Sequence, residues 1–429
     1  MISVKKICGD LAIKLQETGF FHVFGSNVIN KILAFISSIF IVRLVSKADY
    51  GVYTAGLNIL SFFLLVSGLG MLSGVLQICS ENAREPEKSE HIYKYGSRIG
   101  IGFNVILGIV IFAFSMFVKL PLKGTNNVLM MLSFIPAIEI INEFQKIYFR
   151  SRLNNQSYAY ANTLGTFFVV CFSILGAFIY KIPGLIFGRY LAAVVTTVIT
   201  YFWLKGPIYL KKTDLKKDER ESLYKISIIS MLNGGISELL YLFDILIIGI
   251  IMVDPNAIAD YKIAIIIPTA LAFIPASICI YIYPYFSLHK NDKAWVSKYF
   301  KLIILVMGIL NALITIMLIV LAPFILRICF GSQYVSATTM FRISSMSYFF
   351  IGTFRIISGN LLVTQRKLKF NFIVSLSAGI LNIISNIALV KLMGAEGAAL
   401  TTLIISCLSG IVLTFYLHRV ICNIPENQV

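Results

Sequence analysis

A lysine sits in the middle of a stretch that is otherwise apolar enough to enter a membrane. Residues 20–53 read FFHVFGSNVINKILAFISSIFIVRLVSKADYGVY, and about 20 apolar residues suffice to cross a bilayer. Lys31 lies near the centre of the apolar run. Asn27 falls one helical turn before it and Ser38 two turns after, so the three share one helix face. A lysine at mid-membrane depth costs roughly 2.5–3.5 kcal/mol on insertion scales, so it must face a partner or a wet cavity rather than lipid. Two readings stay open: an interhelical ion pair that locks packing, or the wall of a substrate or ion pathway.

The rest of the chain repeats the apolar pattern. Of 429 residues 58% are hydrophobic and 13% charged, with a mean hydropathy of +0.85. That composition excludes a soluble globular protein. Twelve helix-length apolar spans are expected, at 20–43, 53–78, 99–118, 127–149, 158–180, 184–204, 226–252, 262–287, 300–322, 341–363, 370–391 and 396–418. None alternates as a membrane β-strand would.

The net charge of +17 is accounted for by sidedness. Of the 37 lysines and arginines, 25 fall in segments on the side of the N-terminus and nine on the other. This split predicts that both termini are cytoplasmic. Positive residues never gather with interleaved aromatics, so no nucleic-acid partner is expected. The segment 1–19 lacks the apolar core of a signal peptide and reads as an interfacial amphipathic helix. A first lobe over 20–204, a cytoplasmic linker over 205–225, a second lobe over 226–418 and a cytoplasmic tail over 419–429 follow. The seven cysteines are scattered with no CxxC pair, and neither a disulfide framework nor a metal site follows from them.

An internal repeat supports the two lobes. Tyr53 after span 1 matches Tyr261 after span 7 at an offset of 208, and Gly188 in span 6 matches Gly397 in span 12 at 209. The halves therefore run parallel, six spans each. Lys31, Glu139, Glu238 and Arg355 lie close to span centres, and at this offset Lys31 and Glu238 occupy matching places. Glu139, Asn142, Glu143 and Lys146 make a polar stripe on span 4; Asn233, Ser237, Tyr241 and Asp244 make one on span 7. Such stripes predict an all-α protein of two six-helix lobes around a polar central cavity. Glu139 and Glu143, one turn apart, repel each other, and binding H⁺ or Na⁺ would relieve that repulsion. Glu238 and Asp244 join them as candidates for ion coupling, unless Lys146 and Arg150 simply neutralise the pair. Lys31, Arg355, Arg43 and Arg189 suit an anionic cargo such as phosphate, although Arg43 and Arg189 lie near the outer boundary, where snorkelling also explains them. Prolines at 136, 268, 275 and 284 mark expected helix breaks, and the GxxxG pairs Gly70/Gly74, Gly96/Gly100 and Gly184/Gly188 mark close packing.

The stretch RLVSKADYGVY at 43–53 resembles the signature of bacterial polysaccharide-biosynthesis flippases. These form the oligosaccharide-lipid branch of the multidrug/oligosaccharidyl-lipid/polysaccharide exporter superfamily. FGSQY at 330–334, KLKFN at 367–371, LNIISNIALV at 381–390 and GAEGAA at 394–399 are similar too, in order, over essentially the whole chain. The resemblance implies an O-antigen or capsule repeat-unit flippase in the bacterial cytoplasmic membrane. It would turn undecaprenyl-pyrophosphate-linked oligosaccharide across the bilayer by alternating access, with Lys31 and Arg355 holding the pyrophosphate. A polysaccharide polymerase and a chain-length regulator would be partners, and no cofactor is implied beyond a coupling ion. Glu139 and Glu238 depart from a uniformly basic lumen. The alternatives are a cation-coupled drug antiporter of the same superfamily and a membrane polymerase or ligase. The latter would need catalytic groups on an external loop, and the external loops hold no histidine or clustered carboxylates; no DxD motif occurs either.

Overall fold

The computed structural model describes residues 20–82, 85–209 and 213–425, without the side chains of 20–24, 233–234, 236–241 and 284. The expected interfacial helix at 1–19 lies outside the described residues. Fifteen α-helices follow one another, and no strand occurs among the described residues. They are α1 (Phe20–Leu44), α2 (Lys47–Leu64), α3 (Met71–Glu81), α4 (Pro86–Phe117), α5 (Thr125–Leu132), α6 (Ile135–Ser151), α7 (Asn155–Phe202), α8 (Lys217–Met252), α9 (Pro255–Leu271), α10 (Phe273–Leu288), α11 (Lys293–Cys329), α12 (Thr338–Phe350), α13 (Ile356–Thr364), α14 (Leu368–Met393) and α15 (Ala395–Cys422). Among the described residues nine spans are long and apolar enough to cross a membrane, and ten if α2 and α3, bent by 41°, make one.

The breaks between helices have local causes. The 43–53 motif starts α2 with a side-chain N-cap: Ser46 Oγ accepts from the Asp49 N–H at 3.1 Å and donates to Asp49 Oδ2 at 2.7 Å. Between α2 and α3, Gly68, Leu69 and Gly70 all take positive φ. The Asn104 side chain holds that break. Its Oδ1 accepts from the Gly68 N–H at 2.7 Å, while its Nδ2 donates to the Pro136 carbonyl at 2.9 Å, beside the expected break between α5 and α6. One buried amide thus satisfies backbone groups freed at two breaks.

α7, at 48 residues, would be about 72 Å long if straight, more than twice a bilayer core. It folds back on itself at Tyr180 and Lys181, whose dihedrals are not helical. A Cβ on Gly184 would come within 2.0 Å of the Gly176 carbonyl oxygen, and one on Gly188 within 2.1 Å of that of Phe172. Only an antiparallel hairpin brings 172 to 188 and 176 to 184. The second lobe repeats the corner between α14 and α15, where a Cβ on Gly397 would meet the Leu389 carbonyl oxygen at 2.1 Å. Gly184 and Gly397 are therefore the equivalent residues, whereas the sequence match pairs Gly188 with Gly397.

The chain forms two compact units, one running to Leu242 and the other from Phe243. The unit boundary thus falls inside α8, beyond the expected linker at 205–225. The first part of α8 belongs to the first unit because Leu223 is buried among Met71, Val75, Tyr93 and Phe144. Gly70 and Gly74 let Ser227 approach, since a Cβ on either would come within 2.2 Å of it. Residues 205–209 of the linker are fastened to the same unit. Gln145 Nε2 donates to the Gly206 carbonyl at 2.9 Å, and Tyr209 Oη donates to Glu90 Oε1 at 3.3 Å. The core of the second unit gathers Phe286, Val296, Phe300, Met307, Leu361 and Leu417.

Candidate functional site

The faces of α1 separate three environments. At about 100° per residue, the exposed Ile29, Ile36 and Phe40 share one side. Ser26 and Ser37, both buried, share a second side with Asn30, whose Nδ2 donates to the Asn162 carbonyl of α7 at 3.3 Å. Asn27, Lys31 and Ala34, all exposed, and half-buried Ser38 fall on a third. That third side is nearly opposite the exposed apolar one, so Lys31 and the isoleucines project in different directions. Asn162 Nδ2 donates to Asn27 Oδ1 at 3.3 Å, which fixes the start of the polar stripe. No carboxylate among the described residues pairs with Lys31. Glu238, its repeat counterpart, has its side chain outside the described residues, as do Asn233, Ser237 and Tyr241.

Arg355 closes a five-residue π-helical turn, Ile351–Arg355, between α12 and α13. An inserted π turn frees backbone groups and is frequent at functional sites. Arg355 is half-buried, and it too has no ion pair among the described residues.

The expected cationic set is divided by the fold. Arg189 on the returning arm of α7 gives Nη2 to Glu139 Oε1 of α6 at 3.0 Å, and Tyr53 also faces its guanidinium. Glu143 pairs with Lys146. The repelling couple read from sequence is thus resolved: each carboxylate has its own cation, and Glu139 takes Arg189 rather than Lys146 or Arg150. Arg189 is committed inside its own lobe. Arg43 is exposed in the last turn of α1, where Lys181 Nζ donates to the neighbouring Leu44 carbonyl at 3.1 Å. Arg189→Ala is expected to destabilise the first lobe by about 1–2 kcal/mol, less than a fully buried pair because Glu139 is partly exposed. Arg189→Lys should recover part of the loss in a melting curve; an unchanged melting temperature for Arg189→Ala would remove the pair from the stability of the lobe.

The second lobe holds a carboxylate of another kind. Asp244 Oδ2 accepts from Tyr261 Oη at 2.7 Å and from Thr402 Oγ1 at 3.3 Å, and Oδ1 accepts from Asn386 Nδ2. Asn382 Oδ1 lies 3.5 Å from the same amide, and Asn386 Oδ1 is buried with no hydrogen-bond partner. No cation side chain among the described residues reaches Asp244. The repeat partners Tyr53 and Tyr261 therefore serve unlike networks: Tyr53 stands beside an Arg–Glu pair, and Tyr261 beside a carboxylate without a cation. Asn382, Asn386, Tyr261 and Thr402 were not singled out as site residues from sequence. The i, i+4 spacing of the two asparagines was the available signal. Among the described residues no group of three or more His, Cys, Asp or Glu side chains could hold a metal ion.

Repeated helical lobes with charged groups inside long apolar spans define a multi-pass membrane protein. The chain belongs to the polysaccharide biosynthesis protein family, whose model matches residues 40–339. No curated protein sequence matches it. Among solved structures it is similar to the lipid II flippase MurJ in an inward closed conformation, with a TM-score of 0.70 at 15% identity, covering 94% of this chain and 89% of that one. It is also similar to an inward-facing multidrug resistance MATE family transporter of the MOP superfamily, with a TM-score of 0.69 at 11% identity over 93% and 96%. A MOP superfamily transporter from Pyrococcus furiosus, described as having a binding pocket of reverse polarity, gives a TM-score of 0.52 at 12% identity over 95% and 94%. At these identities the likeness speaks for the fold alone.

Proposed function

We propose that the protein flips undecaprenyl-pyrophosphate-linked oligosaccharide repeat units across the bacterial cytoplasmic membrane by alternating access, for surface polysaccharide assembly. The observation that carries this reading is Lys31, a membrane-embedded cation on the polar side of α1 with no acid beside it among the described residues. An ammonium at membrane depth without a counter-ion favours a ligand that brings one, and pyrophosphate brings two or more negative charges. Arg355 supplies a planar donor suited to phosphate oxygens. Membership of a polysaccharide biosynthesis family and the MurJ-like fold point to the same lipid-linked class of cargo. Arg189, tied to Glu139, leaves the set of phosphate ligands.

Coupling to a cation rests on Asp244. The carboxylate, the orphaned Asn386 Oδ1, Asn382 Oδ1 and the Thr402 hydroxyl form an oxygen set that suits Na⁺ or a proton rather than a transition metal. When bound, the ion neutralises the carboxylate, and differential affinity for it in two states of the protein would bias one over the other.

In cells that depend on this protein, Lys31→Ala and Arg355→Ala are expected to abolish surface polysaccharide while membrane levels of the protein stay normal. Lys31→Arg should retain part of the activity. Normal polymer from both alanine variants would overturn the assignment.

A further inference from the structure

A cavity of about 550 Å³ lies where α4 ends and α5 begins, lined by Met116, Val118, Lys119, Lys123, Asn127 and Met130 among others. We infer that it is a binding site for the phosphate group of a membrane phospholipid. The inference is independent of the proposed transport cargo.

The loop that forms it is fixed. Asn126 Nδ2 donates to the carbonyls of Ser115 at 2.8 Å and Val118 at 2.6 Å, while its Oδ1 accepts from the Leu120 N–H at 3.2 Å. One side chain thus ties the end of α4, the loop and the first turn of α5 together, so the concavity does not depend on an occupant. Lys119 and Lys123 are both exposed, and no carboxylate among the described residues pairs with either. Two lysines within five residues stand out on the side that carries nine of the 37 positive residues. The topological bias disfavours them there.

The walls decide the kind of anion. Met116 is 60% exposed, Val118 41% and Met130 36%, so an apolar lip borders the two ammonium groups. α4 and α5 each belong to a span long and apolar enough to cross a membrane, and a loop joining two such spans lies at the level of the headgroups. A hydrated inorganic ion gains nothing from an apolar lip, whereas a phospholipid lays its phosphate against the lysines and its acyl chains along the methionines.

The full-length protein in detergent, relipidated with phosphatidylglycerol or phosphatidylcholine, tests this by native mass spectrometry of retained lipid. Phosphatidylglycerol is expected to be retained preferentially, and Lys119→Gln/Lys123→Gln should weaken its retention about thirtyfold, at about fivefold per lysine. Lys367→Gln/Lys369→Gln removes the same charge elsewhere and should leave retention intact. Inorganic phosphate is the competing probe. If millimolar phosphate leaves the adduct in place, the site belongs to lipid; if phosphate displaces it, the same lysines hold a free phosphate group and the lipid assignment falls. Equal retention by the double variant and the wild type, with both folded by melting curve, overturns the site altogether.

Discussion

Replacing Gly184 by alanine is expected to cost the protein about 3 kcal/mol and to lower its melting temperature in detergent by roughly 5–10 °C. The added Cβ would lie 2.0 Å from the Gly176 carbonyl oxygen, a contact no rotamer change can relieve, because the obstacle is backbone. The two arms of α7 must therefore separate at the corner where they pack most tightly, and the Arg189–Glu139 pair one turn further along loosens with them. Gly397→Ala should behave alike, since the Leu389 carbonyl stands at 2.1 Å. Gly102→Ala supplies the contrast. It lies within α4 with nothing inside 4 Å of a Cβ, and alanine there should be neutral or stabilising by about 0.5–1 kcal/mol. Equal melting temperatures for Gly184→Ala and Gly102→Ala would show that the hairpin is not packed as described.

Asp244→Asn should erase the response to the coupling ion while leaving the fold intact. At ten times its dissociation constant a bound ion stabilises the folded state by about 1.4 kcal/mol, which corresponds to a shift of a few degrees in melting temperature. The wild type is expected to show that shift on replacing choline by Na⁺ at constant ionic strength, or, where the ion is a proton, on changing pH alone. In Asp244→Asn both responses should vanish, because the amide removes the charge while keeping the shape that Tyr261, Thr402 and Asn386 surround. Transport by this variant should lose its ion dependence in parallel. A Na⁺ or pH response of wild-type size in Asp244→Asn would exclude the carboxylate as the binding group. Glu139→Gln separates the two lobes: with Arg189 already bound to Glu139, its ion dependence should match the wild type.

What could be read from residues alone follows from range. The apolar spans and the breaks near Pro136 and between α9 and α10 are set by neighbours within a turn or two, and the sequence shows those neighbours directly. Lys31 was legible for the same reason, since Asn27, Lys31 and Ser38 at helical spacing define a side of α1 without help from elsewhere. Arg189 was not. Its partner is 50 residues away on another helix, and only the reversal at Tyr180 and Lys181 brings them together. Asp244 was visible as a polar member of a stripe, but the fact that distinguishes it, a set of donors from α9, α14 and α15 with no cation among them, is tertiary. The match between Tyr53 and Tyr261 could be read from the sequence. What each tyrosine touches had diverged, so the repeat could not reveal that the lobes treat their acids differently.

The π turn ending at Arg355 sets the angular position of that side chain through a single surplus residue. Deleting one residue from 351–355 would let the segment wind as a regular helix and swing the guanidinium about a hundred degrees around the axis. The chemistry of the side chain would be untouched, yet its aim would be lost. Evolution can thus retune where this arginine points by a change in chain length alone, with no substitution at the arginine itself.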